Sequence, residues 1–319
     1  MKFPPPGRMV DIGGRRLHVQ DSGNGTAPTV ILEAGLAATS LSWATVQPLI
    51  ANYARTVSYD RAGLGWSDDA MSSGTALNAA RDLRLLLERA ELTGPHILVG
   101  HSLGGLIVRV FEQLYPDGVA GLVLVDPVVR AEWRQPTEQR RRLLARGVSL
   151  SRRGAFLAHI GVVRFTLGLL MGGSQRIPGL VARMFAGRAA GVTNRLAGEV
   201  RKIPRELWPV IAAHWSEERA FRTMADYLEN LPLSARQLNE ERDLSDVPTI
   251  VLSSGNATAE GLAEHEHDSR LSTRGEHTVV PGTGHWINLD APEAIAAAVQ
   301  SVIAMSNPRD RTPFFTRPG

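Results

Sequence analysis

Gly100-His101-Ser102-Leu103-Gly104 decides how this chain is read, because of the residues on either side. His96-Ile97-Leu98-Val99 precedes it, a short apolar run of the kind that forms a buried strand. Gly105-Leu106-Ile107-Val108-Arg109-Val110-Phe111-Glu112-Gln113-Leu114 follows, with the apolar spacing of an amphipathic helix. The Gly-x-Ser-x-Gly pattern alone says little, since ordinary residue frequencies produce it by chance roughly 0.1–0.3 times in a chain of this length. Between a strand and a helix it says much more. Glycines on either side of Ser102 leave room for the strand and the helix to approach closely there.

The surrounding chain repeats the alternation. Apolar strands recur at 29–34, 56–59, 96–99 and 122–125, with helical patterns near 43–53 and 76–92 between them. Residues 10–20 read as a hairpin around Gly13-Gly14. Strands alternating with helices predict an α/β fold with a mostly parallel sheet covered on both faces. After Val125-Asp126-Pro127 the alternation stops, leaving only helical segments punctuated by Gly147, Gly172-Gly173, Pro178, Pro204 and Pro232. It resumes with Pro248-Thr249-Ile250-Val251-Leu252 and Thr278-Val279-Val280 and ends in a helix over 292–305. The expected organisation is a core over residues 1–127 and 247–306, a helical cap inserted over 128–246, and a flexible tail over 307–319.

The 319 residues suffice for one large core with a substantial insertion, and 43% hydrophobic with 21% charged residues is an ordinary globular balance. The absence of cysteine excludes disulfides and thiolate metal sites and fits a reducing cytoplasm. Met1-Lys2-Phe3-Pro4-Pro5-Pro6-Gly7 lacks the apolar core of a signal peptide, so a cytoplasmic location is expected. The net charge of +3 is unevenly spread: residues 130–202 hold 15 Lys or Arg against three acids, and 203–246 hold five Arg against nine acids. A solvated helix surface accounts for this, as does attraction to an anionic lipid or acidic substrate. Residues 155–171 are apolar except for His159, Arg164 and Thr166, a length close to a membrane span. A central arginine such as Arg164 costs about 2.5–3.5 kcal/mol on insertion, and Gly161 and Gly168 interrupt the helix. A buried or pocket-lining cap helix is therefore expected, with peripheral membrane contact beside Arg152, Arg153 and Arg176 as the alternative.

Serine becomes a nucleophile at neutral pH only when a base removes its proton. The candidate base is His285 in Pro281-Gly282-Thr283-Gly284-His285-Trp286, a Gly-rich loop directly after the last strand. Asp290, with Glu293 three residues on, reads as the N-cap of the final helix in a capping box. His101 adjoins the serine with its side chain expected to point elsewhere, and His265, His267 and His277 read as surface loop residues. No histidine–carboxylate cluster has metal-ligand spacing, and Gly63 and Gly65 lack the third glycine of a dinucleotide loop, where Asp68 stands. No metal and no cofactor are expected.

Taken with Leu32-Glu33-Ala34-Gly35-Leu36, Asp60-Arg61-Ala62-Gly63-Leu64-Gly65-Trp66-Ser67 and Leu122-Val123-Leu124-Val125-Asp126-Pro127, these features make the chain resemble a Ser-dependent, esterase-like member of the α/β-hydrolase superfamily with a helical cap. The resemblance covers nearly all of the chain outside the cap, the first few residues and the tail. It implies the α/β-hydrolase fold, with Ser102 as nucleophile and His285 as base. It also implies an oxyanion hole made by the backbone N–H groups of Leu36 and Leu103, although Ala34-Gly35 stands where relatives often have His-Gly. Many relatives carry the third triad member in a Gly-x-x-Asp pattern after the penultimate strand. This chain has Gly255-Asn256-Ala257-Thr258 there, which points to Asp126, the position one strand earlier used by other relatives. Glu260 and Glu264 are the substitutes from the later loop.

The activity so implied is cleavage of a carboxylic ester with an apolar acyl or alcohol group through an acyl-enzyme, with a small molecule and no nucleic acid as partner. Carbon–carbon bond hydrolysis, amide cleavage, perhydrolysis and hydroxynitrile lyase chemistry use the same scaffold, as does a degenerate small-ligand receptor. Haloalkane dehalogenases and epoxide hydrolases need a carboxylate where Ser102 stands.

Overall fold

The computed structural model of the protein describes residues 3–25, 28–171, 202–239 and 242–306. Among them eight strands form one sheet: β1 (Arg8–Asp11), β2 (Arg16–Ser22), β3 (Val30–Glu33), β4 (Thr56–Tyr59), β5 (His96–His101), β6 (Val119–Val125), β7 (Thr249–Ser254) and β8 (Gly275–Val280). Their order is β1-β2-β4-β3-β5-β6-β7-β8, with β1 and β2 antiparallel and every pair from β4 to β8 parallel. The β1–β2 hairpin turns on Gly13 and Gly14, whose φ angles of 100° and 86° lie in the left-handed region that glycine alone enters freely. Strand β8 starts three residues earlier than the apolar pattern marks. It is an edge strand, and its polar Gly275-Glu276-His277 half faces solvent on one side.

Helices cover both faces. On one side α2 (Ala76–Arg89) and α3 (Leu103–Leu114) bury Leu83, Leu86, Leu106, Val110 and Phe111 against the sheet. Thr75 starts α2 by accepting the N–H of Asn78 at 3.2 Å. The apolar stretch near 43–53 forms a 3-10 turn (Ser40–Trp43) followed by the short helix α1 (Gln47–Ala51), because Pro48 suits a helix start and not a helix interior. On the opposite face Ile50 of α1 joins Ile295, Val299 and Val302 of the last helix against Val30, Leu32, Ile97, Val99, Val123 and Val125. Each such side chain contributes about 1.5–3 kcal/mol on full burial.

Between β6 and β7 every described element is helical: α4 (Arg130–Arg134), α5 (Glu138–His159), α6 (Val162–Met171), a 3-10 turn (Arg205–Leu207), α7 (Trp208–Trp215), α8 (Glu218–Glu229) and α9 (Leu231–Gln237). Gly172, Gly173, Arg176 and Pro178 lie outside the described residues, as does the tail over 307–319. Helix α5 lies directly on α8, because Gly154 leaves the space filled by the Phe221 ring, 2.5 Å from where a Cβ would stand. The apolar stretch 155–171 is broken at Gly161 (φ 79°) between α5 and α6, and no described helix is long and apolar enough to cross a membrane. Its residues divide: Ala155, Leu157 and Ala158 are buried, whereas Phe156, Ile160 and Phe165 face outward. The chain continues through α10 (Ala259–Arg270), α11 (Ile287–Asp290) and α12 (Pro292–Ser306).

The fold carries two buried histidines in its central strand. Burial pushes the His96 imidazole down to about 4 and the His101 imidazole down to about 3, both from 6.5. Folded, they stay neutral between pH 6.5 and 4, while the unfolded chain takes up a proton on each. A lowered folded value for a base means stability intact above pH 6.5 and lost as pH falls below it. The expected slope is about 1.4 kcal/mol per pH unit per histidine. Urea unfolding at pH 7, 6 and 5 should therefore show falling midpoints, and His96→Gln should flatten the trend.

Candidate active site

Strand β5 passes into α3 through a single residue. Ser102 has φ 53° and ψ −117°, a region an L-residue enters only under strain. The approach that enforces it is measurable: a Cβ on Gly104 would lie 2.3 Å from the Glu33 carbonyl oxygen, and one on Gly100 would lie 2.5 Å from that of Gly104. Gly105 adds a third contact, with the Pro127 Cβ 2.7 Å from its missing side chain. The N–H of Ser102 donates to the Val125 carbonyl at 3.0 Å, tying the turn to the end of β6.

Two further side chains converge on that hydroxyl. His285, from the loop between β8 and α11, brings Nε2 to 2.9 Å from Ser102 Oγ. Its Nδ1 lies 2.6 Å from Oδ2 of Asp126, which stands immediately after β6. The other carboxylate oxygen, Oδ1, accepts the Ser254 N–H at 2.8 Å. A carboxylate accepts only, so Nδ1 carries the hydrogen and Nε2 turns its lone pair toward the serine. Burial pushes the Asp126 carboxyl up, but the hydrogen bonds from His285 and the Ser254 amide outweigh it and hold it below the usual carboxylate range.

Neither substitute acid reaches the imidazole. Glu264 accepts the N–H groups of Arg130 at 2.5 Å and Ala131 at 3.0 Å, and Glu260 lies exposed in the first turn of α10. Thr258, where relatives carry an aspartate, caps α10 by accepting the Gly261 N–H at 3.1 Å.

The other sequence expectations divide. His101 does point away from the serine: it is buried, and its Nε2 donates to the backbone carbonyl of His285 at 2.8 Å. His267 is exposed but sits on α10, and His265 and His277 are not surface loop residues. His265 is buried on the inner side of α10, and His277 reaches inward from β8. The sequence of α10 is polar all round, so its pattern did not reveal which face turns inward. Asp290 is not the cap of α12 either. It ends α11, pairs with Lys202, and accepts the Gly284 N–H at 2.8 Å, fixing the loop that presents His285. Helix α12 opens on Pro292, whose fixed φ suits a first helical residue.

A cavity of about 430 Å³ opens over Ser102, His285 and Asp126. Leu36 and Leu103 line it, with Val128, Trp133, Tyr227 and Leu231 as further apolar walls. Leu103 is the first residue of α3, so its N–H has no partner within the helix. The loop carrying Leu36 is held from behind by a buried pair that sequence reasoning missed. Arg61 donates to the carbonyls of Ala34 and Gly35, each at 2.5 Å, and pairs with Glu33, which also accepts the Tyr59 hydroxyl. In a trans peptide the N–H of Leu36 points opposite to the Gly35 carbonyl, and so away from Arg61. The signal was a glutamate inside the otherwise apolar Val30-Ile31-Leu32-Glu33-Ala34. Among the described residues no group of three or more histidines and acids could hold a metal ion.

The contacts at Gly104 make a direct prediction. Gly104→Ala forces a methyl against two backbone carbonyls, and a displacement of α3 should follow. Thermal unfolding is expected to show a loss of about 2 kcal/mol or more, or no soluble protein at all.

A family model described as alpha/beta hydrolase fold matches residues 28–292. The chain is 27% identical over 227 residues to the sn-1-specific diacylglycerol lipase ABHD11 of Mus musculus, covering 70% of this chain and 64% of that one. It is 25% identical over 308 residues to the 2-(acetamidomethylene)succinate hydrolase of Mesorhizobium japonicum, covering 93% and 94%. In several curated relatives, the lipase included, the match spans less than two thirds of their own length. Among solved structures, a thermophilic esterase from Thermogutta terrifontis superimposes with a TM-score of 0.61 at 21% identity, over 92% of this chain and 94% of that one. The family match and the eight-stranded, mostly parallel sheet agree: this chain belongs to the α/β-hydrolase fold family.

Proposed function

We propose that this α/β-hydrolase superfamily hydrolase cleaves carboxylic esters through an acyl-enzyme, using Ser102 as nucleophile, His285 as base and Asp126 as the acid that orients it. The observation that carries this reading is the in-line set of contacts from Ser102 Oγ through the imidazole to the Asp126 carboxylate, at 2.9 and 2.6 Å. Ser102 attacks the ester carbonyl while His285 Nε2 takes its proton. The same proton then goes to the departing alcohol, and water repeats the sequence to release the acid. Asp126 keeps Nδ1 protonated and stabilises the imidazolium that forms.

The oxyanion of the tetrahedral intermediate takes hydrogen bonds from the N–H groups of Leu36 and Leu103. Arg61 and Glu33 hold the first of these donors in orientation, the task that the absent His-Gly dipeptide would otherwise share. The apolar lining of the cavity, Trp133 and Tyr227 included, suits an apolar acyl or alcohol group. Dehalogenase chemistry, suggested by some structural neighbours, needs a carboxylate at position 102 and is disfavoured.

A fluorophosphonate probe should label the wild-type chain and fail to label a folded Ser102→Ala variant. Asp126→Asn should lower kcat on a p-nitrophenyl ester by about 10⁴-fold with the fold intact, because the amide favours the wrong imidazole tautomer. An unlabelled, folded wild type overturns the reading.

The cap supports a further part of it, contact with an anionic lipid surface. Arg146, Arg153 and Phe156 share one outward face of α5, with Ile160 exposed just past its end and Phe165 on α6. None of the ion pairs among the described residues involves Arg146, Arg153 or Arg164. Exposed aromatics beside unpaired cations match a bilayer interface with negative headgroups. The protein should co-sediment with phosphatidylglycerol vesicles at low salt and release at high salt, and Arg146→Glu/Arg153→Glu should abolish the binding. Absence of co-sedimentation at low salt overturns this contact.

A further inference from the structure

A second polar array adjoins Asp126, its His265 also lining the cavity over Ser102, and takes no part in the chemistry proposed above. Four contacts run in line. His265 Nε2 is 3.0 Å from the Pro127 carbonyl, and His265 Nδ1 is 2.7 Å from Ser253 Oγ. Ser253 Oγ is 2.7 Å from His277 Nε2, and His277 Nδ1 is 2.9 Å from the Glu266 carboxylate. The arrangement Ser253–His277–Glu266 copies the order of a nucleophile, base and acid. It cannot act as one, because Ser253 has no exposed surface and no substrate can reach it.

Counting hydrogens shows what the array needs. The two ends are acceptors, so His265 Nε2 donates to Pro127 and His277 Nδ1 donates to Glu266. Between the two rings stands one hydroxyl, which donates to only one of them. Four hydrogen bonds require four hydrogens, and neutral groups supply three. With both rings neutral, one of the two contacts to Ser253 has no hydrogen of its own, and Glu266 is the acid beside His277. The remaining charged groups on this side of α10 are engaged with one another: Arg130 pairs with Glu264 and Asp268, and Asp268 also meets Arg109.

The two ends of Asp126's cradle both attach to this array. On one side Pro127, the residue directly after the acid, is held by His265. On the other side Ser253 precedes Ser254, whose N–H fixes Asp126 Oδ1. Asp126 needs such bracing because its own φ is 41°, a left-handed conformation that a non-glycine residue keeps only when its surroundings impose it.

Resting on the assignment of Asp126 to the triad, we propose that His265 and Ser253 are positioning residues, which with His277 and Glu266 form a hydrogen-bonded brace that holds the acid's carboxylate in register with His285. None of the four touches the reacting atoms. Their effect passes through the placement of one carboxylate, where a displacement of about 1 Å can cost up to a hundredfold in rate.

The test uses the full-length protein, a p-nitrophenyl ester of short acyl length, and fluorophosphonate titration to count competent sites. His265→Leu should lower kcat by about ten- to a hundredfold per folded molecule with KM within about twofold. His265→Gln keeps an amide donor near the Nε2 position and should recover most of that loss. In Asp126→Asn the brace has no carboxylate to place, so adding His265→Leu should cause no further drop. The proposal is overturned by wild-type kcat in His265→Leu, by equal losses in the Leu and Gln variants, or by additive losses in the double variant. A wild-type chain that neither takes the probe nor turns over the ester overturns the triad reading instead, so the two failures are distinguishable.

Discussion

The contact between the start of α3 and the end of β3 is the constraint on which the rest of the molecule depends. With 2.3 Å between a notional Gly104 Cβ and the Glu33 carbonyl, no residue with a side chain lets this helix start where it does. The helix must start there because a parallel sheet places all its strand ends on one edge, and only a helix hugging that edge turns Ser102 over it. Strain at Ser102 is the consequence, and it is sustained by apolar burial on both faces of β5, where Ile97, Leu98 and Val99 are fully buried. The site therefore rests on a fully buried strand of the core, and its strained residue is fixed by packing on either side.

Charge inside that core serves geometry. Glu33 and Arg61 are both nearly inaccessible, and burial alone pushes the Glu33 carboxyl up, so their attraction largely offsets a desolvation cost. What the pair gains is direction: one guanidinium satisfies two successive carbonyls of a loop and so sets the tilt of the next peptide. A histidine side chain at Ala34 would have been another way to stiffen the same loop. His101 contributes from the opposite side, its ring 4.9 Å from that of His285 and 2.9 Å from the missing Cβ of Gly35. A larger residue at position 35 would displace the one ring that tethers the His285 backbone.

How legible this was depended on the range of the forces involved. The sheet, its parallel order and the turn at Ser102 follow from apolar period and glycine placement, which are local, and the structure has them, with β8 beginning three residues before the apolar pattern. The convergence of Ser102, His285 and Asp126 was legible as strand ends, because strand ends in a parallel sheet are neighbours whatever lies between them in sequence. Buried polar partners were not legible. Arg61 and Glu33 are 28 residues apart, and Ser253 and His277 are 24 apart. No periodicity records such pairs. Asp290 misled for a related reason: its capping-box spacing with Glu293 is a local signal, and the tertiary demand of the Gly284 amide overrode it.

With Asp126 as the proposed acid, its position accounts for the remaining differences from the more common pattern. When a carboxylate follows the penultimate strand, the loop after that strand must reach the imidazole. Here Asp126 reaches it from one strand nearer the serine, so β7 and its loop are released from that task. Thr258 becomes a helix cap, and the end of β7 supplies an amide from Ser254 and a hydroxyl from Ser253 instead of an acid. Since β6 and β7 are adjacent and in register, with Val125 opposite Leu252, the carboxylate and the groups that hold it come from neighbouring rungs of one ladder. On the proposed triad, the end of β7 and the inner face of α10 hold the acid instead of supplying it.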